Sequence, residues 1–150
     1  TNSGDGYSTT SYTEYGAFSR LTSSIKSPVL TCPDKEHDLY TVDSTKGNGA
    51  LTNPIGLMTA DEAAMAGMVN GYLNTLSYVY TGTWYWTMSP YSFRPSGSAS
   101  IVWSVGGTGY FSGDWVPGGY GVRPAINLKA DVEISGGIGT VNDPYIVKTT

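Results

Sequence analysis

Residues 84–120 contain all four tryptophans of the chain, set among glycines and serines with few charges. This segment, WYWTMSPYSFRPSGSASIVWSVGGTGYFSGDWVPGGY, divides into short runs of aromatic and β-branched residues separated by Gly, Ser and Pro. Such runs are typical of short strands joined by turns. The segment therefore predicts the sheet of the fold, and its rings supply both core and surface.

Alternation within two of these runs predicts which rings are buried. In WYWTM, Trp84 and Trp86 share one face with the methionine, and in IVWSV the flanking apolar residues share the face of Trp103. Aromatic rings at strand spacing usually belong to a core. We therefore expect Trp103, and either Trp84 or Trp86, to be buried.

Two helical patterns precede the strands. In SYTEYGAFSRLTSSI, Ser11 and Glu14 have the spacing of a capping box, and apolar residues recur at helical intervals before Pro28. In TADEAAMAGMVNG, Thr59 and Glu62 have the same spacing, and an apolar face continues to the valine before Asn-Gly. Both patterns predict short helices.

The order of these patterns indicates the fold class. Helices early and strands late favour an α+β fold rather than alternating βαβ units. Further short strands are expected at residues 29–31 and 39–42 and within YGVRPAINL and PYIV. Residues 1–12 are polar and predict a flexible lead or linker, which leaves residues 13–150 as one domain.

Composition restricts the classes of function. Of the 150 residues, 39% are hydrophobic, enough for a core, but only 13% are charged. The net charge of -4, without a basic stripe, argues against a nucleic-acid partner. Cys32 is the single cysteine, so no internal disulfide forms. The uncharged, hydroxyl-rich surface favours export, and because Thr1 is not a natural start we expect a mature or excised fragment without its targeting segment.

Other aromatic residues of the segment stand beside Ser, Gly, Pro and Asp, in settings that resemble turns. There the sequence offers no regular face to bury them, and Tyr with Ser and Gly is typical of adaptable contact surfaces. We expect an exposed ligand-binding patch of eight residues: Tyr91, Phe93, Arg94, Tyr110, Ser112, Asp114, Trp115 and Tyr120.

Catalytic chemistry has little support in the sequence. His37 is the only histidine and lies near Cys32 in CPDKEH, but no second Cys or His completes a zinc site. We interpret the pair as a half-buried thiol beside an exposed imidazole. No catalytic residue and no cofactor is expected.

Two further features have structural interpretations. Asp131, Glu133 and Asp143 flank a glycine-rich stretch, but their spacing matches no EF-hand loop, so we expect surface charges and turn formers rather than a calcium site. Arg123 lies between strand-forming residues and is expected to hold a turn through hydrogen bonds to loop carbonyls, with anion binding as the alternative.

The order of PIGLMTADEAAMAG, YWTMSPYSF, VWSV and YGVRPAINLKADVEISGGIGTVNDPYIV resembles an uncharacterised C-terminal domain of surface proteins from gut Bacillota. The resemblance covers about residues 30–148, and the GVRPAINL to NDPYIV tail is its most specific part. Members of this family often follow a type IV pilin-like segment. No pilin-like hydrophobic helix is present in this sequence, so that link comes from the family alone.

The same layout is similar to the C-type-lectin-like fold, in its formylglycine-generating-enzyme branch. The resemblance implies small twisted antiparallel sheets and two short helices that support long, ligand-binding loops. It implies neither oxidase chemistry nor calcium-dependent sugar binding, because the paired catalytic cysteines and the calcium-ligand motifs are missing. Proteins of this fold are targets of diversity-generating retroelements, and the Tyr, Ser, Gly and Asp content of residues 91–120 fits such programmed variation.

Three functions follow as hypotheses. The first is an extracellular, non-enzymatic binding domain, adhesin-like or receptor-like, for a protein or glycan on another cell or on a phage. The second is a pilin-like subunit that self-assembles into a surface filament. The third, an enzyme, requires an unusually reactive Cys32. A membrane contact is expected only through a segment that this sequence does not contain.

Overall fold

The computed structural model describes residues 12–32, 35–36, 39–41, 45–95, 100–140 and 142–148. Within them lie helices α1 (Gly16–Leu21) and α2 (Ala60–Met65) and strands β1 (Thr13–Glu14), β2 (Gly56–Leu57), β3 (Tyr85–Phe93), β4 (Ser100–Val105), β5 (Phe111–Trp115), β6 (Pro124–Ala125), β7 (Ile134–Gly136) and β8 (Ile146–Val147). Every pairing between these strands is antiparallel. The predicted α+β class, with few short helices and small antiparallel sheets, is confirmed. The lead predicted at residues 1–12 lies outside the described residues except for Tyr12.

A four-stranded sheet in the order β1-β3-β4-β5 forms the centre of the molecule. Strands β3, β4 and β5 follow each other as a meander, and β1 pairs with the end of β3, where Thr13 stands opposite Phe93. Two small ribbons, β2 with β6 and β7 with β8, complete the pairing. The sheet is thus built mainly from the tryptophan-rich segment, as predicted.

One face of the sheet packs against the helices. Trp103 is fully buried and stacks on Phe111 with ring centroids 4.7 Å apart. Val105 and Tyr85 are buried on the same face, together with residues of α1, α2 and the connection that follows α2. Burial of Trp103 was expected from strand alternation, and the structure confirms it.

The predicted face of β3 is wrong. Tyr85, Thr87 and Ser89 are the buried alternate residues of this strand, whereas Trp86 is only partly buried and Trp84 is exposed. The small hydroxyl side chains are satisfied inside the molecule: Ser89 Oγ accepts from the backbone N–H of Ala60 at 2.9 Å, and Thr87 Oγ1 donates to the Trp103 carbonyl at 3.0 Å. Close contact with α2 therefore favours small residues on the inner face and leaves the tryptophans outside.

Helix α2 begins as predicted and ends earlier. Thr59 is its N-cap, and the capping box with Glu62 is complete in both directions. The helix ends at Met65 because Gly67 adopts a positive φ of 93°. The N–H of Met68 then donates to the Ala63 carbonyl and that of Gly67 to Ala64, which is a Schellman motif. Gly67, rather than the later Asn-Gly pair, is the stop signal.

Helix α1 is shorter than predicted. It begins after Tyr15, which makes no side-chain capping bond, because Thr13 and Glu14 pair with β3 as a strand instead of opening the helix. Ser11, the other half of the predicted capping box, lies outside the described residues. The helix ends at Leu21, so Ile25 is exposed and packs on no helical face.

The remaining strand predictions are partly confirmed. No strand forms at residues 29–32 or 39–41, and residue 42 lies outside the described part of the chain. From YGVRPAINL only β6 forms, and from PYIV only β8. Arg123 has its predicted structural role, since its Nη1 donates to the Val79 carbonyl at 2.9 Å and to the Tyr85 hydroxyl at 3.3 Å. Burial raises the pKa of Tyr85 above its ordinary value, although the Arg123 guanidinium opposes this.

Candidate functional site

The second face of the sheet carries an aromatic cluster with polar neighbours. Residues directly opposite in an antiparallel pair project to the same face. Trp86 stands opposite Ser104, and Ser104 stands opposite Ser112. Asp114 lies two residues beyond Ser112 on β5, so it shares this face as well. We call this side, away from Trp103, the outer face.

The rings of Trp84, Trp86 and Tyr120 form what we term the outer cluster. Tyr120 stacks on Trp84, with centroids 5.0 Å apart and planes at 26°, and lies 4.6 Å from Trp86 at 35°. Trp84 is 36% exposed and Trp86 and Tyr120 are partly exposed. The Tyr120 ring therefore covers part of both indoles, and the cluster as a whole is an aromatic surface that is only partly accessible to solvent.

Backbone contacts hold the outer cluster in place. The N–H of Gly121 donates to the Trp84 carbonyl at 2.9 Å, and the N–H of Trp86 donates to the Gly121 carbonyl at 3.1 Å. Trp84 also lies against Gly106 and Gly107, where an added Cβ would come within 3.1 Å of the indole. These glycines leave room for the indole because they lack side chains. The position of Trp84 therefore depends on the loop that contains Gly106 and Gly107 and on the backbone bond with Gly121.

Asp114 fixes the tyrosine of the cluster. The Tyr120 hydroxyl donates to Asp114 Oδ2 at 2.7 Å, and the Trp115 N–H donates to Oδ1 at 2.8 Å. The hydrogen bond to the carboxylate, with smaller contributions from burial and charge, raises the pKa of Tyr120 above its ordinary value. At neutral pH the hydroxyl is therefore protonated and oriented by Asp114.

The structure brings only part of the predicted patch together. Ser112, Asp114 and Tyr120 lie at the outer face. Tyr110 and Trp115, which are 37% and 39% exposed, lie at opposite ends of β5, about 17 Å apart along the strand. Tyr110 alternates with Ser112 and lies at one end of the outer face, whereas Trp115 stands opposite Ile101 and projects to the Trp103 side.

Three predicted residues lie elsewhere. Tyr91 is a correction: its ring contacts Trp103 and Phe18 at centroid distances of 4.7 and 4.8 Å, so it belongs to the core side. Phe93 is partly buried at the end of β3, opposite β1. Arg94 lies 5.4 Å from the ring centroid of Tyr12 and is exposed. The expected turn settings of residues 91 and 93 are also wrong, because both belong to β3.

The sequence interpretation missed Trp84 and Trp86 as surface residues. Strand alternation groups these two large rings with Met88 on one face, so one of the two was expected to be buried. A usable signal was present in the intervening positions, since Tyr85, Thr87 and Ser89 also alternate and suit close packing against a helix. Hydrophobic size alone pointed to the wrong face.

A separate cavity of about 710 Å³ lies between α1, α2, the middle of β3, and residues 29–32, 39–40, 47–48, 54, 56–57 and 125–127. Its wall shares no residue with the outer cluster. Asp61 is buried there and accepts from Arg20 Nη2 at 2.8 Å, from Arg20 Nε at 3.3 Å and from the Val29 N–H at 2.9 Å. This ion pair joins the two helices to the loop that follows α1.

The described residues do not bring side chains together in an arrangement that supports the catalytic or the metal-binding hypothesis. Cys32 is a partly buried thiol in the cavity wall, and His37 lies outside the described part of the chain. Glu133 pairs with Lys148 at 2.7 Å on the surface, and Asp143 lies in a turn with Thr140. Among the described residues, no three potential metal ligands come together.

In the part of the chain that the structure describes, no helix has the length and apolar character needed to cross a membrane. A comparison with family models, curated proteins and solved structures found no match to this chain.

Proposed function

We propose that this chain is a non-enzymatic ligand-binding domain of an extracellular surface protein, adhesin-like or receptor-like, and that the outer face is its contact surface. The observation that carries the proposal is the exposed stack of Trp84, Tyr120 and Trp86 beside Asp114. Large rings held in one orientation lose little entropy on binding, which is why such residues dominate contact hot spots.

The chemistry around the rings supports binding of a polar partner with flat apolar parts. Ser112 supplies a hydroxyl on the same face, and Asp114 supplies acceptor oxygens already oriented by Tyr120 and the Trp115 N–H. The partner is a protein or a glycan on another cell or on a phage. Rings would provide the contact area, and the polar groups would set orientation.

The fold proposal is consistent with this role. We propose a C-type-lectin-like domain related to the C-terminal domains of Bacillota surface proteins, in which connections after the central strands carry ligand contacts. Tyr120 fits this pattern because it lies in the connection between β5 and β6. Programmed variation of residues 91–120 by a retroelement belongs to the same proposal. Sequencing this locus across strains tests it, and substitutions spread evenly through the gene would contradict it.

A pilin-like filament subunit is the second candidate function. Apolar side chains of the β7 and β8 ribbon favour it, since Ile134 and Ile146 are 55% and 57% exposed. A two-stranded ribbon is marginal by itself and gains stability when another surface covers it. Electron microscopy of the native cell surface separates the two candidates, because only the filament reading places identical copies of this domain in contact.

The direct test is a glycan and protein array screen with the purified chain. Wild-type protein is compared with Trp84→Ala and Tyr120→Ala, and with Tyr145→Ala as a matched control. Tyr145 is 60% exposed and lies outside the outer cluster. We expect hits of the wild type to weaken at least tenfold in the two cluster variants, since removal of a hot-spot ring costs about 2 kcal/mol or more, and to persist in the control.

Circular dichroism melting of each variant shows whether it is folded before it is screened. Hits that bind folded Trp84→Ala and Tyr120→Ala as strongly as the wild type would show that the outer face is not the contact surface. Hits that are lost equally in Tyr145→Ala would point to the C-terminal ribbon instead.

A further inference from the structure

The cavity between the helices and the loop residues has the size of a small-molecule site. Its volume of about 710 Å³ lies within the range of about 300–1,000 Å³ typical of ligand pockets. The described walls come from parts of the chain far apart in sequence: both helices, the middle of β3, and residues 29–32, 39–40, 47–48, 54, 56–57 and 125–127. Nothing in the proposed role of the outer face uses it.

The charged groups of the wall already take part in hydrogen bonds within the protein. Among the described lining residues, Arg20, Asp61 and Glu62 are the ones that carry charge. Arg20 and Asp61 bind each other in two hydrogen bonds, and the Glu62 carboxylate accepts from the N–H and hydroxyl of Thr59. An anionic ligand would have to be desolvated without gaining a free counter-charge and would lie near the Glu62 carboxylate, which is unfavourable.

The remaining wall is mainly apolar. Met88 and the Tyr40 ring meet over Gly56, where an added Cβ would lie 3.0 Å from Met88 Cε and 3.1 Å from Tyr40 Cζ. Gly56 stands opposite Ala125 in the β2 and β6 pair, so Ala125 projects to this same side. Other apolar members of the wall are Ala17, Val29, Leu39, Leu57 and Ile126.

We infer that this cavity is a binding site for an uncharged, mainly apolar small molecule. The inference is independent of the outer face, because the two sites share no residue. Ligand binding would also stabilise the folded chain, since a ligand that contacts both helices and the loops binds the folded state alone.

Fluorescence titration with a matched pair of dyes tests the inference. N-phenylnaphthylamine is uncharged, and anilinonaphthalene sulfonate has the same aromatic framework with an added anionic group. We expect saturable fluorescence enhancement with the uncharged dye and at least tenfold weaker binding of the sulfonate. Equal or tighter binding of the sulfonate, or failure of the uncharged dye to saturate, would overturn the inference.

Variants locate the binding. Ala125→Trp and Val29→Trp place large rings on two different walls, and each is expected to weaken binding of the uncharged dye at least tenfold. Ala130→Trp, at an exposed position outside the cavity, and Tyr120→Ala, in the outer cluster, are expected to leave it unchanged. Unchanged binding in both folded cavity variants would show that the dye binds elsewhere, and would sink the proposal.

Discussion

The Tyr91 ring lies directly over Gly113: a Cβ added to this glycine would be 2.3 Å from Tyr91 Cγ. Gly113 stands opposite Trp103 in the pairing of β5 with β4, so the missing side chain leaves room on the core face for a ring from β3. Tyr91 fills that room and contacts Trp103 at its edge. A residue expected on the surface is therefore tied to the centre of the core by the absence of a side chain two strands away.

Gly113→Ala should destabilise the fold, because the new methyl group and the Tyr91 ring cannot occupy the same space. Overpacking of this kind costs about 2 kcal/mol. Urea denaturation measures the loss. Gly119→Ala is the matched control, since an added Cβ there meets no atom within 4 Å, and its free energy of unfolding should change by less than about 0.5 kcal/mol. Equal stabilities of the two variants would show that Tyr91 does not occupy this position.

Tyr120→Phe should destabilise the fold modestly, because it removes the hydrogen bond to Asp114. The site is solvent-accessible and screened, so we expect a loss of about 1 kcal/mol at neutral pH. Equilibrium unfolding of wild type and variant measures this difference.

The same pair predicts a pH dependence. The pKa of Tyr120 is raised in the folded state relative to its ordinary value of 10.0, so the stabilisation is complete below that value and is lost as pH rises through the folded pKa. The advantage of the wild type over Tyr120→Phe should be constant from neutral pH to about pH 9 and should shrink towards about pH 11. An advantage that grows with pH would contradict the assignment of Asp114 as acceptor.

Asp61→Ala should be strongly destabilising. It removes the acceptor for Arg20 and for the Val29 N–H, and it leaves a partly buried guanidinium without its partner. Breaking such a pair costs about 3 kcal/mol. Glu133→Ala is the control, because its ion pair with Lys148 is exposed and should contribute less than about 0.5 kcal/mol. Thermal and urea unfolding compare the two, and similar small losses would show that the Arg20 pair does not join the helices.

Thr59→Ala should weaken α2 through loss of its N-cap. The hydroxyl accepts from the Glu62 N–H at 3.1 Å, and removal of such a cap costs about 1 kcal/mol. Because α2 contributes Asp61 and Glu62 to the cavity wall, the variant should also weaken dye binding there. Thr52→Ala, at an exposed position without a capping role, is the control for both measurements. Unchanged unfolding in Thr59→Ala would mean that the cap is not formed in solution.

Local patterns were sufficient wherever one interaction between near neighbours decides the structure. The capping box of Thr59 and Glu62, the short strands of the tryptophan-rich segment and the burial of Trp103 were all predicted and are all present. Arg123 donates to a loop carbonyl as predicted, but its bond to Val79 spans 44 positions and joins two distant segments. In each case, the size of the side chain or its hydrogen-bonding groups restrict the environments in which the residue is stable.

Patterns failed where a distant element decides the outcome. The face of β3 depends on α2, which approaches so closely that Ser89 and Thr87 are favoured inside and the tryptophans outside. Glu14 was read as a helix cap, but pairing with Ser92 places it in a strand. No local sequence pattern around Gly113 or Tyr91 indicates that these two residues are in contact.

Composition, turn residues and capping signals thus determined the class of this fold and the approximate position of its helices and strands, because these depend on the conformational preferences of neighbouring residues. Strand alternation also predicted the burial of Trp103, but only the tertiary structure placed Tyr91 on the core side and Trp84 and Trp86 in the outer cluster. Strand alternation offers two equivalent faces, and the choice between them is made by the volume available against α2 and at Gly113. Tyr120 joins Trp84 and Trp86 because backbone pairing at Gly121 places its ring on the face that the helices leave open.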